Sequence, residues 1–273
     1  MLSEINSDII NTIIQGETIE EMKRIADGSV DMILADLPYG TTACKWDIVI
    51  PFEPLWAEYE RVIKLNGAIV LTASQPFTTV LINSNFNGMK HIWYWNKENG
   101  GNFAVAKYMP QKVIEEIVVF SKGGQRVNYY PIMEEVENNK IRPINRPAKR
   151  KESNPQGMAS GIIKPSDNYS NKKRYPKNVL TFNNRARELN SSQRVHPTQK
   201  PVALFEYLIR TYTNEGEVVL DNVIGSGTTA VAAINTGRQF IGIEREEEYV
   251  NIARERVEQA YAERVKTEVM SND

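Results

Sequence analysis

The stretch Asp36-Leu37-Pro38-Tyr39-Gly40 brings a carboxylate, a carbonyl-rich turn and an aromatic ring together within five residues. It follows the apolar run Val30-Asp31-Met32-Ile33-Leu34-Ala35, which reads as a buried strand. Pro38 stops the ladder and fixes the turn, and Gly40 lets the backbone turn sharply. The group therefore belongs at the carboxyl end of a strand, the edge where open α/β sheets bind ligands. The exocyclic amine of a nucleobase is planar because its lone pair is delocalised into the ring. Acceptors that draw it toward a tetrahedral shape make it nucleophilic. Asp36 and the carbonyl of Leu37 or Pro38 are such acceptors, and Tyr39 can stack on a base taken out of a helix. A turn of this composition also occurs as plain structure, so the pentapeptide alone decides nothing.

A second stretch, Val218-Val219-Leu220-Asp221-Asn222-Val223-Ile224-Gly225-Ser226-Gly227-Thr228-Thr229, reads as strand, glycine loop and helix start. Gly225 and Gly227 permit close approach of the backbone to a ligand. Glu244 ends the following strand, about 20 residues past the loop, where a carboxylate takes both hydroxyls of a ribose. With His196-Pro197-Thr198-Gln199-Lys200-Pro201 just ahead, the chain resembles the DNA amino-methyltransferases. Those enzymes carry a D-P-P-Y-type catalytic turn and a D-P-F-x-G-S-G-type loop for S-adenosylmethionine. The order found here, catalytic turn first and cofactor loop last, resembles their permuted class, called β.

The resemblance implies a circularly permuted, Rossmann-like methyltransferase fold: a mostly parallel sheet, helices on both faces and an inserted target-recognition segment. Residues 1–121 would form the catalytic half, 122–195 the basic insertion and 196–273 the cofactor half. Asp36, Leu37, Pro38 and Tyr39 are implied as catalytic. Glu17, Asp36, Asp221, Asn222, Gly225, Ser226, Gly227, Thr228, Thr229 and Glu244 are implied to bind the cofactor. So are His196, Thr198, Gln199 and Lys200, at a helix start that cups the methionine carboxylate, with Lys200 supplying charge. Glu17 reads equally well as a helix-entry acid. Two departures stand out: Leu37 replaces the usual first Pro, at a contact made through the backbone, and Asn222-Val223 replace Pro-Phe near the methionine end of the cofactor. The implied reaction is methylation of adenine N6 in duplex DNA by base flipping. Cytosine-N4 methylation is the alternative within the family, where Ser more often stands in place of Asp36. From other classes, a catalytically dead DNA-binding protein and an NAD-dependent oxidoreductase stay open, the latter because Gly225 to Ala230 fits G-x-G-x-x-G/A. Asp36 argues against a protein or ribosomal RNA substrate, for which Asn is usual. A homodimer and a cognate restriction endonuclease are further partners that the resemblance leaves open.

Composition bounds this reading. The 273 residues suffice for one large α/β domain with an insertion, and 41% hydrophobic content fills a core. No apolar run approaches the roughly 18 residues that span a bilayer, and no secretory signal opens the chain, so a cytoplasmic protein is expected. Net charge is −1, yet residues 122–195 carry 16 Lys and Arg against 6 Asp and Glu, an excess suited to phosphates. The basic clusters are Arg146-Pro147-Ala148-Lys149-Arg150-Lys151 and Lys172-Lys173-Arg174-Tyr175. Cys44 is the single cysteine and does not follow Pro, which removes the thiolate chemistry of cytosine-C5 methylation. No metal site is expected; His91 and His196 are read as structural.

The remaining pattern places the motifs. A short strand is expected within 5–14 and helices over 18–26, 53–64, 75–82, 202–212, 228–235 and 246–265. Asn66-Gly67 reads as the stop of the second helix. Strands are expected at 68–73, 91–95, 116–120, 218–220 and 239–243, with Phe103 packed in the core or bordering a base pocket.

Overall fold

A computed structural model describes residues 8–41, 47–136, 172–183 and 199–271. Cys44, His196, Thr198 and the cluster at 146–151 lie outside the described residues. The chain divides into two compact units, Met1–Tyr130 with Asn178–Asp273, and Pro131–Lys177.

The larger unit is built on an eight-stranded sheet. Its strands are β1 (Thr12–Gln15), β2 (Val30–Ala35), β3 (Ile63–Ala73), β4 (Met89–Asn96), β5 (Ile114–Ser121), β8 (Val179–Thr181), β9 (Val218–Asp221) and β10 (Gln239–Glu244). Their order across the sheet is β1-β10-β9-β2-β3-β5-β4-β8. Every pairing is parallel except the two made by β5. The first and last strands of the sheet in sequence, β1 and β10, therefore lie side by side. In the smaller unit β6 (Glu134–Glu135) pairs antiparallel with β7 (Lys173–Arg174), setting Glu134 opposite Arg174 and Glu135 opposite Lys173. Opposite charges across such a pair favour it.

Helices cover both faces of the large sheet, so its central strands read as unbroken apolar runs. On one face Met32, Leu34, Val70 and Val219 pack with α4 (Val202–Tyr212), α5 (Thr228–Asn235) and α6 (Glu247–Ser271). On the other, Ile33, Ile69, Leu71 and Leu220 pack with α1 (Thr18–Met22), α2 (Phe52–Val62) and α3 (Phe77–Ser84). Among the described residues no helix is long and apolar enough to cross a membrane. His91 is structural, as expected: its Nε2 lies 2.7 Å from the Tyr212 hydroxyl, which also accepts the Trp93 indole N–H at 2.6 Å.

Two expectations are corrected. Asn66-Gly67 do not stop a helix. α2 ends at Val62, Ile63 is already extended (φ −73°, ψ 140°), and β3 runs on through Gly67. Between the pairings Val30–Ile63 and Met32–Ala68, β3 advances five residues while β2 advances two, so 64–67 bulge. A Cβ on Gly67 would lie 2.7 Å from the Ile63 side chain and 2.8 Å from the Asp31 carbonyl oxygen. The turn-forming pair thus makes a bulge that sheet pairing then captures. Phe103 is not in the core; it is 61% exposed on a 3₁₀ turn between β4 and β5.

Asp31, within the run read as apolar, is buried. Its carboxylate accepts the Val218 N–H at 3.0 Å and pairs with Lys64 at 2.7 Å. Val218 opens β9, so this one side chain registers two halves of the sheet. Lys64 is 41% exposed at its side chain and its pairing contributes little. Asp31→Ala leaves the buried Val218 N–H without its acceptor and should cost about 1–3 kcal/mol in urea unfolding; Asp31→Asn, which keeps an acceptor, should cost less.

Candidate active site

A cavity of about 370 Å³ opens at the carboxyl edge of the sheet, within the usual range for small-molecule sites. The turn after β2 forms one wall and the loop after β9 another. Between them, β10 contributes Glu244, β5 contributes Glu115, and the approach to α4 contributes Gln199 and Lys200.

The turn after β2 is held from several directions. Leu37 is 3% exposed and packs in the core, which anchors the backbone of the turn and accounts for an apolar residue at that position. Gly40 takes φ +67°, and a Cβ there would lie 2.9 Å from Val49. Beyond it, the backbone N–H groups of Gly40 and Thr41 donate to the buried Asp47 carboxylate at 2.8 and 2.9 Å. The Tyr39 ring stacks on Phe77, with centroids 4.9 Å apart.

Asp36 is the centre of this wall. Its Oδ1 accepts the Tyr39 hydroxyl at 2.8 Å and the Thr72 hydroxyl. Its Oδ2 accepts from Lys200 Nζ at 2.6 Å. Lys200 is 8% exposed, and its ammonium stands 3.7 Å from Glu115 Oε2, while Glu115 Oε1 pairs with Lys97 at 2.9 Å. Burial opposes the charge on Lys200, but Asp36 and Glu115 together outweigh it and hold the ammonium above its ordinary range. Burial, reinforced by the negative Asp36, pushes the Tyr39 phenol well up, so it stays a hydrogen-bond donor.

The opposite wall is a strand–loop–helix turn. Gly225 (φ +52°) and Gly227 (φ +85°) carry the chain into α5 in a conformation that side chains disfavour. A Cβ on Gly227 would come within 3.0 Å of Ala253, so the loop seats directly against α6. Arg256 of α6 braces it from behind, donating to the Ser226 carbonyl at 2.5 Å and to its hydroxyl at 3.1 Å. Asp221 accepts the Val223 N–H at 3.1 Å and the Thr229 hydroxyl. The Asn222 side-chain oxygen accepts the Tyr59 hydroxyl at 2.6 Å, and its carbonyl accepts from Thr18 at 2.7 Å. Glu244 accepts the N–H groups of Gly225 and Glu246, each at 2.9 Å, one on each oxygen. Those bonds leave acceptor capacity on the carboxylate for a further donor. Burial raises the Glu244 carboxyl. The amide oxygen and nitrogen of Gln199 are buried without a hydrogen-bond partner among the described residues.

Of the residues expected from sequence, those described line this one cavity except Gly227, which seats the loop. Glu17 borders it and caps α1, accepting the Ile19 N–H at 2.9 Å. Lys200 faces Asp36. Sequence reading did not find Thr72, Asp47, Lys97, Glu115 or Arg256. Thr72, the one polar residue in the apolar run 68–73, carried a legible signal; the others gained their roles through long-range packing.

Comparison with known proteins agrees with this geometry. Residues 30–255 match the family model for DNA methylases of the N6/N4 type. The chain is 32% identical to a DNA adenine methyltransferase, YhdJ, of Escherichia coli (strain K12), over 91% of this chain and 83% of that protein. It is 26% identical to the type II methyltransferase M.HpaI of Haemophilus parainfluenzae, over 91% of this chain and 74% of that protein. Among solved structures, M1.HpyAVI in complex with SAM superposes with a TM-score of 0.60 at 24% identity, over 90% of this chain and 98% of that one. The cytosine-N4-specific PvuII DNA methyltransferase gives a TM-score of 0.61 at 15% identity, over 89% and 85%. The last two likenesses establish the fold.

Asp221 supplies a pH test. Burial pushes its carboxyl up to about 7. In the unfolded chain it ionises near pH 4, so between these values the folded state holds the extra proton and stability falls as pH rises. Asp221→Asn removes that dependence. Its melting temperature relative to wild type should be highest at pH 8 and fall progressively toward pH 4.

Proposed function

This chain belongs to the DNA methylase family of N6 and N4 amino-methyltransferases, and on that premise we propose that it methylates adenine N6 at a specific site in duplex DNA. The observation that carries this reading is Asp36: a carboxylate anchored by Tyr39, Thr72 and Lys200, in the cavity that also holds the glycine loop and Glu244. The reading is supported by the likeness to a protein named as a DNA adenine methyltransferase.

The methyl donor is S-adenosylmethionine, and the residues present fit it. Glu244 keeps acceptor capacity for a ribose hydroxyl, Gly225 leaves space where a side chain would intrude, and Gln199 has a buried amide awaiting partners. When bound, the donor supplies an electrophilic methyl group on a sulfonium. The chain's own residues do the rest. Asp36 and the turn carbonyls accept the N–H groups of the flipped adenine and bias its nitrogen toward a tetrahedral shape. Tyr39 gives the base a surface to stack on. Unpairing the base costs a few kcal/mol, and holding the reactants in line supplies the main rate gain. No base need remove a proton before attack, because the proton is acidified once the nitrogen becomes cationic.

The segment 122–195, including the exposed Lys172, Lys173 and Arg174, reads the DNA in this view; its cations position phosphates while other groups specify bases. Two relatives are named type II methyltransferases, so a cognate endonuclease belongs to the same reading, as do a homodimer and a cytoplasmic location.

Labelled S-adenosylmethionine with mixed-sequence duplex DNA should yield N6-methyladenine after digestion. N4-methylcytosine would overturn the choice of base, and unmodified DNA would overturn the reading. Asp36→Ala should lower kcat at least about 100-fold with the chain still folded, since it removes a transition-state acceptor. Glu244→Ala should weaken cofactor binding about tenfold, measured by calorimetry, through loss of charged hydrogen bonds.

A further inference from the structure

The donors around Asp36 leave one place for a substrate amine. An ionised carboxylate offers about four acceptor sites, two on each oxygen. Oδ1 is filled by the Tyr39 and Thr72 hydroxyls. Oδ2 accepts Lys200 alone among the described residues, so it keeps one site, directly beside the Lys200 ammonium. That ammonium carries three N–H groups. One goes to Asp36; Glu115, at 3.7 Å, is too far for a hydrogen bond. Lys200 Nζ also lies 5.9 Å from the centroid of the Tyr39 ring, whose one face is covered by Phe77. A base that stacks on the open face of Tyr39 and sets its amine on Oδ2 therefore meets Lys200.

We infer that Lys200 Nζ donates a hydrogen bond to the ring nitrogen flanking the target amine, N1 of adenine. The inference rests on the amino-methyltransferase reading and deepens it. Asp36 and Lys200 form an acceptor beside a donor, the complement of the N–H and ring nitrogen of an amino base. Guanine and thymine present the reverse along that edge, a carbonyl and then an N–H. Their carbonyl would face the Asp36 carboxylate and their N–H the ammonium, both repulsive contacts. The pair thus admits amino bases and rejects keto bases.

The same chemistry says where the energy goes. An ammonium on N1 draws the amine lone pair toward the ring, whereas attack on a methyl group withdraws it. Transfer weakens the bond only modestly, so it counts nearly equally in the bound ground state and in the transition state. It serves binding and register, and its loss should appear in KM more than in kcat.

The probe is a pair of duplexes carrying the site mapped by sequencing the methylated product, with adenine or 1-deazaadenine at the target position, each opposite an abasic site so that neither base has a pairing bond to lose. For the wild-type chain KM should rise about tenfold, the worth of one hydrogen bond to a charged group, with kcat within about twofold. Lys200→Met should raise KM on the adenine duplex by a similar factor and make the two duplexes indistinguishable, with cofactor affinity unchanged. Equal KM values for the two duplexes with wild type, a comparison that needs no variant, would overturn the assignment. So would a Lys200→Met chain that still prefers adenine, or one that loses cofactor affinity while its KM for DNA holds, which would place Lys200 on the cofactor carboxylate. Failure of wild type to methylate any duplex would overturn the underlying reading, a separate result.

Discussion

The 2.6 Å ion pair between Lys200 and Asp36 joins stretches 164 residues apart in the chain. Each charge offsets the cost of burying the other, with Glu115 adding to the hold on Lys200 and the Tyr39 and Thr72 hydroxyls to that on Asp36. The pair therefore ties the turn after β2 to the approach of α4, and its neighbours are arranged around it. Tyr39 and Thr72 fill the far oxygen of Asp36, and Glu115 with Lys97 extends the charge alternation along the cavity wall. Because these groups come from the turn, β3, β5 and the α4 approach, the orientation of Asp36 is fixed from several directions at once. An acceptor so held needs little rearrangement when a substrate arrives, which is how positioned dipoles lower a barrier.

That arrangement presupposes strand register. β2 is buried on both faces, with Met32 and Leu34 in one core and Ile33 and Ala35 in the other. A slip of one residue would exchange the two sets and turn Asp36 away from its partners. Asp31 guards against it at the start of the strand by holding Val218, and the bulge at 64–67 absorbs the mismatch between α2 and β3.

Much of this was legible in the sequence. The apolar runs marked β2 and β9, helical spacing gave α4 and α5 to the residue, and glycine placement located the loop between β9 and α5. Local signals failed where long-range contacts decide. Asn66-Gly67 has the chemistry of a stop, but pairing with β2 draws it into a strand. Phe103 looked like core because apolar residues usually are, yet the turn between β4 and β5 leaves it in water. Arg256 is one of many charges on α6, and its role at Ser226 exists because Gly227 lets α6 come close. Asp36 was legible as a carboxylate at a strand end; that its partner would be Lys200 required the fold.

The neighbours of β1 and β2 have a consequence for synthesis. The two strands are consecutive in sequence, yet β10 and β9 lie between them in the sheet. Until Val218 and the residues after it leave the ribosome, the edge of β2 that will receive Val219 and Leu220 lacks that mate, and β1 lacks β10. The sheet closes when β9 and β10 enter between β2 and β1. Such non-local closure is slow, and until it happens an apolar strand edge is open to other chains. A nascent chain of this topology depends on what shields that edge in the interval.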